Sequence, residues 1–377
     1  MSRQSIYNYK YITTAGLLAW LTCVSSAGSA LAGQAHPLTY ETPRSQGMGG
    51  AFVAVADDQQ ALFSNPAGLS QITDKSYAVL DATAEINQDM RRVENKTDGL
   101  SDADTSEARA ANNRVLSEIM GQQSRLVASN LAYYLGSTGF GAGFLYQTIA
   151  QVGVERPTNP RIRAKADVDS VLVGAIARPI GNRVVFGDAA TGHWGLGMKF
   201  ISRRTLDREY DARDFATLSE DDLRNDSLKG AALDIDGGVL YKLANPWNQT
   251  VGFSVSNVFE SEIDARIGRL PRRVDVGTAI RPLSGSPERS RKLLLAADLA
   301  DITSDGTLFS KLRLGMEARM RTWLTLRGGL RGGYLSAGAT AKFREARFEF
   351  ATYSEELGER PGDREDRRYS VSMAVDF

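Results

Sequence analysis

From about Ser76 to Phe377 apolar and polar residues alternate with a period of two, and the spacing of an amphipathic helix is rare. Between Lys311 and Met320, the residues Leu312, Leu314, Met316, Ala318 and Met320 share one face, while Lys311, Arg313, Gly315, Glu317 and Arg319 share the other. Leu233, Ile235, Val239, Tyr241 and Leu243 alternate with Asp234, Asp236, Gly238 and Lys242, and Val274, Val276, Thr278 and Ile280 with Arg273, Asp275 and Arg281. Leu335, Ala337, Ala339, Ala341 and Phe343 do the same with Tyr334, Ser336, Gly338, Thr340 and Lys342. Such runs last about ten residues, enough to cross a bilayer on a tilt and longer than most globular strands.

The pattern predicts fourteen strands, near 76–86, 125–135, 139–152, 164–178, 193–204, 229–243, 249–258, 272–282, 291–301, 310–320, 322–331, 334–343, 345–353 and 368–377. An even number is what a single-chain barrel of the bacterial outer membrane requires. The long links 87–124, 153–163, 205–228, 259–271 and 354–367 then fall on one side, and the short links 136–138, 244–248, 321 and 344 on the other. The link 179–192 and the pair Gly332-Gly333 break this rule.

One alternating strand does not distinguish a soluble sandwich, with its apolar face inward, from a membrane barrel, with its apolar face toward lipid. The number, length and sorted connections of the strands favour the second. The expected fold is therefore all-β, an antiparallel transmembrane β-barrel of about 14 strands. The chain ends Tyr369-Ser370-Val371-Ser372-Met373-Ala374-Val375-Asp376-Phe377, alternating throughout. Its terminal aromatic belongs at a membrane interface and looks like the signal read by outer-membrane assembly machinery.

Composition agrees with a barrel and removes other classes. With 42% hydrophobic and 24% charged residues and a mean hydropathy of −0.27, the chain is too polar for a bundle of apolar transmembrane helices. Its 45 basic and 45 acidic residues cancel, leaving no field to attract nucleic acid. Residues 1–32 have the layout of a secretory signal peptide: Arg3 and Lys10, an apolar run from Ala15 to Val24, then Ala30-Leu31-Ala32 before Gly33. An uncleaved anchor is the other reading, and the apolar run is short for it. Cys23, the single cysteine, lies inside this leader without the small neighbours of a lipidation site, so the exported chain has no thiol chemistry.

Between leader and first strand stand Gly47-Met48-Gly49-Gly50-Ala51-Phe52 and, after Asp57-Asp58, the stretch Asn65-Pro66-Ala67-Gly68-Leu69. No Gly-Lys-Ser/Thr follows the glycines, which argues against a phosphate loop. Asp57-Asp58 suit a helix start, and Asn65-Pro66 a helix stop. These two features resemble the FadL family of outer-membrane transporters for hydrophobic compounds, with its PorV-like and TraF-like branches. The resemblance implies a hatch inside the barrel, and hence the division 1–32 signal peptide, 33–75 hatch segment, 76–377 barrel. It implies that Gly47, Gly49 and Gly50 shape the hatch, that Asn65, Pro66 and Ala67 set its conformation and gate it, and that Phe377 carries the assembly signal.

The leading expectation is passive uptake of hydrophobic or amphipathic small molecules, long-chain fatty acid-like or aromatic. The alternative, implied by the PorV-like and TraF-like branches, is an accessory barrel that docks components of a secretion or conjugation system. A third reading is a soluble periplasmic β-protein. Expected partners are outer-membrane lipid, the hydrophobic ligand and the assembly machinery, with no cofactor and no nucleic acid.

If apolar faces meet lipid, the lumen receives Lys199, Arg203, Asp234, Asp236, Lys242, Arg273, Asp275, Arg281, Arg313, Glu317, Arg319, Arg327, Arg331, Arg347 and Glu349. This set reads either as a wall of ion pairs against a plug or as an arginine cluster for a ligand carboxylate. A helix is expected near Glu107 to Met120, whose stripe Val115, Leu116, Ile119 and Met120 either captures ligands or packs on its neighbours. The acidic run Glu220-Asp221-Asp222 is expected to stay solvated and not to hold a metal. With His36 and His193 the only histidines, and no serine in a nucleophile setting, no catalytic residue and no enzyme is expected.

Overall fold

The computed structural model describes residues 38, 40–101, 105–137, 139–155, 160–180, 190–219, 222, 226–282, 292–304, 306–358 and 362–377. The leader, His36 and the pair Glu220-Asp221 lie outside the described residues.

Among these residues fourteen antiparallel strands close into one barrel, counting the pieces Ser76–Ala78 and Asp81–Asn87 as a single strand. Both pieces, together β1, pair with the same neighbour, Ser76 opposite Leu135 and Ala82 opposite Asn130. The other strands are β2 (Gln123–Gly136), β3 (Phe140–Glu155), β4 (Arg161–Ile180), β5 (Ala190–Tyr210), β6 (Leu228–Leu243) and β7 (Thr250–Ser256). They continue as β8 (Arg273–Ile280), β9 (Leu293–Leu299), β10 (Leu312–Arg319), β11 (Leu324–Arg331), β12 (Tyr334–Phe343), β13 (Ala346–Glu356) and β14 (Glu365–Val375). Closure comes from β14 on β1, with Met373 opposite Ala82. Just past β14, Tyr77 and Phe377 exchange two backbone hydrogen bonds of 3.0 Å, and their rings stack with centroids 5.4 Å apart.

The two faces of the wall settle the choice between lipid and water outside. Leu172, Met198, Phe200, Met316, Leu335 and Val371 are exposed on the outside, whereas Lys199, Arg203, Asp234, Asp236 and Glu349 are buried on the inside. Apolar residues out and ionised residues in is the arrangement for a barrel in lipid; a water-soluble barrel needs the reverse. At the end with the short turns, exposed Tyr77, Tyr134, Phe140, Trp247, Trp323, Phe343 and Phe377 form an aromatic belt of the kind that sits at a membrane interface. Among the described residues no helix is long and apolar enough to cross a membrane.

The strand count is borne out, and the lengths differ on one side. β3, β4 and β5 run past their expected ends, to Glu155, from Arg161 and to Tyr210, so the expected loop at 153–163 is mostly strand. Their extensions carry charged residues such as Arg163 and Asp207, which pair across strands in water, where no lipid demands alternation. The link 87–124 holds helices Met90–Thr97 and Ser106–Glu118, the second capped by Thr105. Leu116 and Ile119 of the expected stripe are fully buried against Val93, Val154 and Ile162, so the stripe packs on its neighbours.

Residues 40–72 cross the lumen. They contain the short helices Pro43–Gly47 and Ala61–Ser64 and the 3-10 turn Pro66–Gln71. Met48, Ala51, Phe52, Ala54, Val55, Leu62 and Leu69 form a core with Leu131, Leu145, Val171, Val173 and Ile201 of the wall. A stretch this short holds no core of its own, and the wall supplies the other half.

Candidate functional site

The candidate site is the lumen where the N-terminal segment meets the wall. Three kinds of contact hold it there.

The first is backbone against glycine. A Cβ placed on Gly195 would strike the peptide joining Pro66 and Ala67, and one on Gly238 would strike Oδ1 of Asn65. Further round, a Cβ on Gly252 would lie 2.7 Å from the Val53 carbonyl oxygen, one on Gly315 2.6 Å from that of Met48, and one on Gly329 2.5 Å from the Gly49 nitrogen. These glycines let the segment's main chain approach closer than any side chain would allow. On the segment, Gly49 and Gly50 have φ of +65° and +82°, a backbone that only glycine adopts readily. A Cβ on Gly47 would come within 3.0 Å of the Gly338 Cα.

The second is capping by buried polar side chains. Asn65 is fully buried; its Nδ2 donates to the carbonyls of Val53 (2.9 Å) and Val239 (3.4 Å), and its Oδ1 accepts from the Ala67 N–H (3.2 Å). Its extended backbone before Pro66 starts the 3-10 turn. From the wall, Asp298 Oδ2 accepts the Phe52 and Val53 N–H groups at 2.6 and 2.8 Å.

The third is ionic. Arg44 is the hub: it meets Asp57 at 2.6 Å and Asp58 at 2.8 Å within the segment, and binds Glu317 of β10 through two bonds of 2.8 and 3.0 Å. Glu317 also accepts from Arg327 at 2.7 Å. Glu41 pairs with Arg331, which also reaches Glu355 at 2.7 Å. Burial pushes the Glu41 carboxyl up, but the Arg331 guanidinium outweighs this and holds it below its ordinary range. Arg281 approaches Asp57 at 3.5 Å.

The luminal charges expected from the alternation therefore divide in two. Glu317, Arg327, Arg331 and Arg281 belong to the network against the segment. Lys199 with Asp236, Arg203 with Asp169, Arg273 with Asp275, and Arg347 with Glu349 and Asp376 pair wall to wall. Asp234 accepts backbone N–H groups of Phe259 and Ser261 instead. The Arg313 side chain makes no ion pair or hydrogen bond among the described residues, while Arg319 and Lys242 face the lumen near the short-turn end. His193 lies in β5, on its short-turn half. Asp222 accepts from the Ser219 N–H and hydroxyl. Sequence alone pointed neither to Arg44 and Asp298 nor to the wall glycines, whose partners lie more than 100 residues away along the chain.

On the long-loop side of the segment, a cavity of about 110 Å³ has an apolar floor of Leu38, Tyr40, Phe52, Val53 and Phe63 and a polar rim with Asn257, Arg272 and Arg273. The Tyr40 and Phe63 rings lie 5.0 Å apart. Larger polar cavities flank the segment on both sides.

No family model and no curated protein matches the chain. Among solved structures it is similar to the CymD monoaromatic hydrocarbon channel, 13% identical over 89% of this chain and 96% of that one, with a TM-score of 0.49. It is also similar to the Pseudomonas putida toluene transporter TodX (10% identical, 91% of this chain and 99% of that one, TM-score 0.45). A third is a Pseudomonas aeruginosa FadL homologue, 11% identical over 92% of this chain and 98% of that one, with a TM-score of 0.45.

Proposed function

We propose that the chain is an outer-membrane barrel of Gram-negative bacteria for passive uptake of hydrophobic or amphipathic small molecules, with residues 40–72 as its hatch. The observation that carries this reading is the aromatic-floored cavity on the long-loop face of the hatch, rimmed by Arg272 and Arg273. An apolar floor takes a ring or chain out of water, and the Arg272 guanidinium at its edge suits a carboxylate head, Arg273 being held by Asp275. Its volume is of the same order as the ~150 Å³ apolar cavity known to take up benzene in an engineered protein. In this reading the long loops face outward, the short turns and both ends of the barrel face the periplasm, and Asn65, Pro66 and Ala67 fix the hatch on Gly195 and Gly238. The barrel reaches the membrane through the outer-membrane assembly machinery, with Phe377 as its signal.

The test is equilibrium binding of a radiolabelled long-chain fatty acid and of a small aromatic hydrocarbon to the detergent-purified, heat-modifiable barrel, beside Phe63→Asp. Saturable binding of either ligand, weakened at least tenfold by the variant, is the expected result. A folded wild-type barrel that binds neither ligand contradicts the uptake reading.

A further inference from the structure

The hatch does not meet the wall equally all round. Against β5, β7, β10, β11 and β12 its main chain is seated on glycines, and on β6 Gly238 makes room for the Asn65 side chain. Toward β14 and β1 its hydrogen bonds to the wall come from side chains: Gln46 Nε2 donates to Glu85 at 3.2 Å, and Gln59 Nε2 to Asp81 at 2.9 Å. This sector is also where the two large cavities lie above one another. The one on the long-loop side, about 300 Å³, is lined by Gln46, Thr83, Glu85, Ser129, Tyr353 and Arg368. The one on the short-turn side, about 500 Å³, is lined by Gln59, Ser76, Tyr133, Arg347, Glu349 and Asp376.

The partition between them is polar. Its wall carries Thr83 on β1 and Ser370 and Ser372 on β14, all buried. The hydroxyls of all three, and the amide oxygen of Gln46, have no hydrogen-bond partner among the described residues. Buried polar atoms are almost always satisfied, so four such atoms in one place are groups that water or a hydrogen-bonding solute can partner. The acids on either side, Asp81 and Glu85, are each held by an arginine, Arg347 at 3.3 Å and Arg125 at 3.2 Å, so the lane carries no strong field of either sign.

We propose that this edge of the hatch is a gated lane for small uncharged hydrophilic solutes, with Gln46 and Gln59 as its movable bars. The path opens by rotation of two side chains while the hatch stays seated on its glycines. It is separate from the hydrophobic cavity and does not depend on the uptake reading.

The test is osmotic swelling of liposomes containing the full-length purified barrel, with glycerol, arabinose and sucrose as probes. The variants are Gln46→Ala/Gln59→Ala and the same pair with Ser372→Phe, each checked for heat-modifiable folding. The double variant is expected to admit glycerol and arabinose several-fold faster than wild type, with sucrose retarded, and Ser372→Phe to return the rates to wild type. A folded double variant no faster than wild type overturns the proposal. So does a fast double variant that Ser372→Phe leaves unchanged, or one that passes sucrose as readily as glycerol, since the path then lies elsewhere or the hatch has left.

Discussion

At the scale of single residues, glycine decides where the hatch touches the wall. Gly195 faces the peptide between Pro66 and Ala67, so Gly195→Val places a branched side chain where main chain already stands. Overpacking of this kind costs about 1–3 kcal/mol. The expected outcome is a barrel that still folds but whose residues 40–72 are cut by an added protease; equal resistance of variant and wild type would show that the seat is dispensable. Pro66→Ala acts more mildly, because it frees the backbone of Asn65 and loosens the 3-10 turn. Ligand uptake should change while heat modifiability does not, and unchanged uptake would remove the motif from gating. Of these features, the glycines at 47, 49 and 50 and the Asn-Pro pair were legible in the sequence as local signals. Gly195, Gly238 and Gly329 were not, because a glycine in an alternating strand gives no sign of what approaches it across the lumen.

Among elements, strand was easy to read and partnership was not. The alternation of Leu312 to Arg319 gives both the strand and its inward face, and Glu317 indeed points into the lumen to Arg44 and Arg327. The choice of Arg44 as partner depends on a register spanning 273 residues, which no local pattern contains. The extensions of β3, β4 and β5 were missed for a related reason: outside the lipid, cross-strand charge pairs replace the apolar period that marks a strand. Since Arg44 serves three carboxylates while largely buried, Arg44→Ala leaves Asp57, Asp58 and Glu317 without their shared cation. Removing one partner of a buried ionic group costs about 3–5 kcal/mol. Hydrogen exchange in residues 43–64 should accelerate in this variant with little change in the strands; an unchanged exchange pattern would mean that the glycine seats and Asp298 hold the segment unaided.

The whole molecule closes at one seam, where Phe377 stacks on Tyr77 and their backbones pair. The terminal aromatic was visible in the sequence, and its partner was not, because closure joins the last strand to the first. Phe377→Ala should lower the amount of barrel that reaches the outer membrane several-fold while refolded protein remains heat-modifiable; normal membrane yield would remove the assembly role. The barrel as a whole was legible because lipid imposes one rule on every strand, apolar out and polar in. Cargo was not legible, because in the proposed reading it depends on a cavity assembled from the hatch and from loops after β7, distant in sequence.

Entry of hydrophobic molecules through this barrel is measured most directly as uptake by whole cells. Cells lacking the barrel, cells expressing the wild type and cells expressing Phe63→Asp are compared for the rate at which they accumulate a labelled long-chain fatty acid or small aromatic hydrocarbon. The expected uptake is saturable, requires the barrel and falls several-fold in the variant. Equal rates in all three strains, with both proteins folded in the outer membrane, would contradict it.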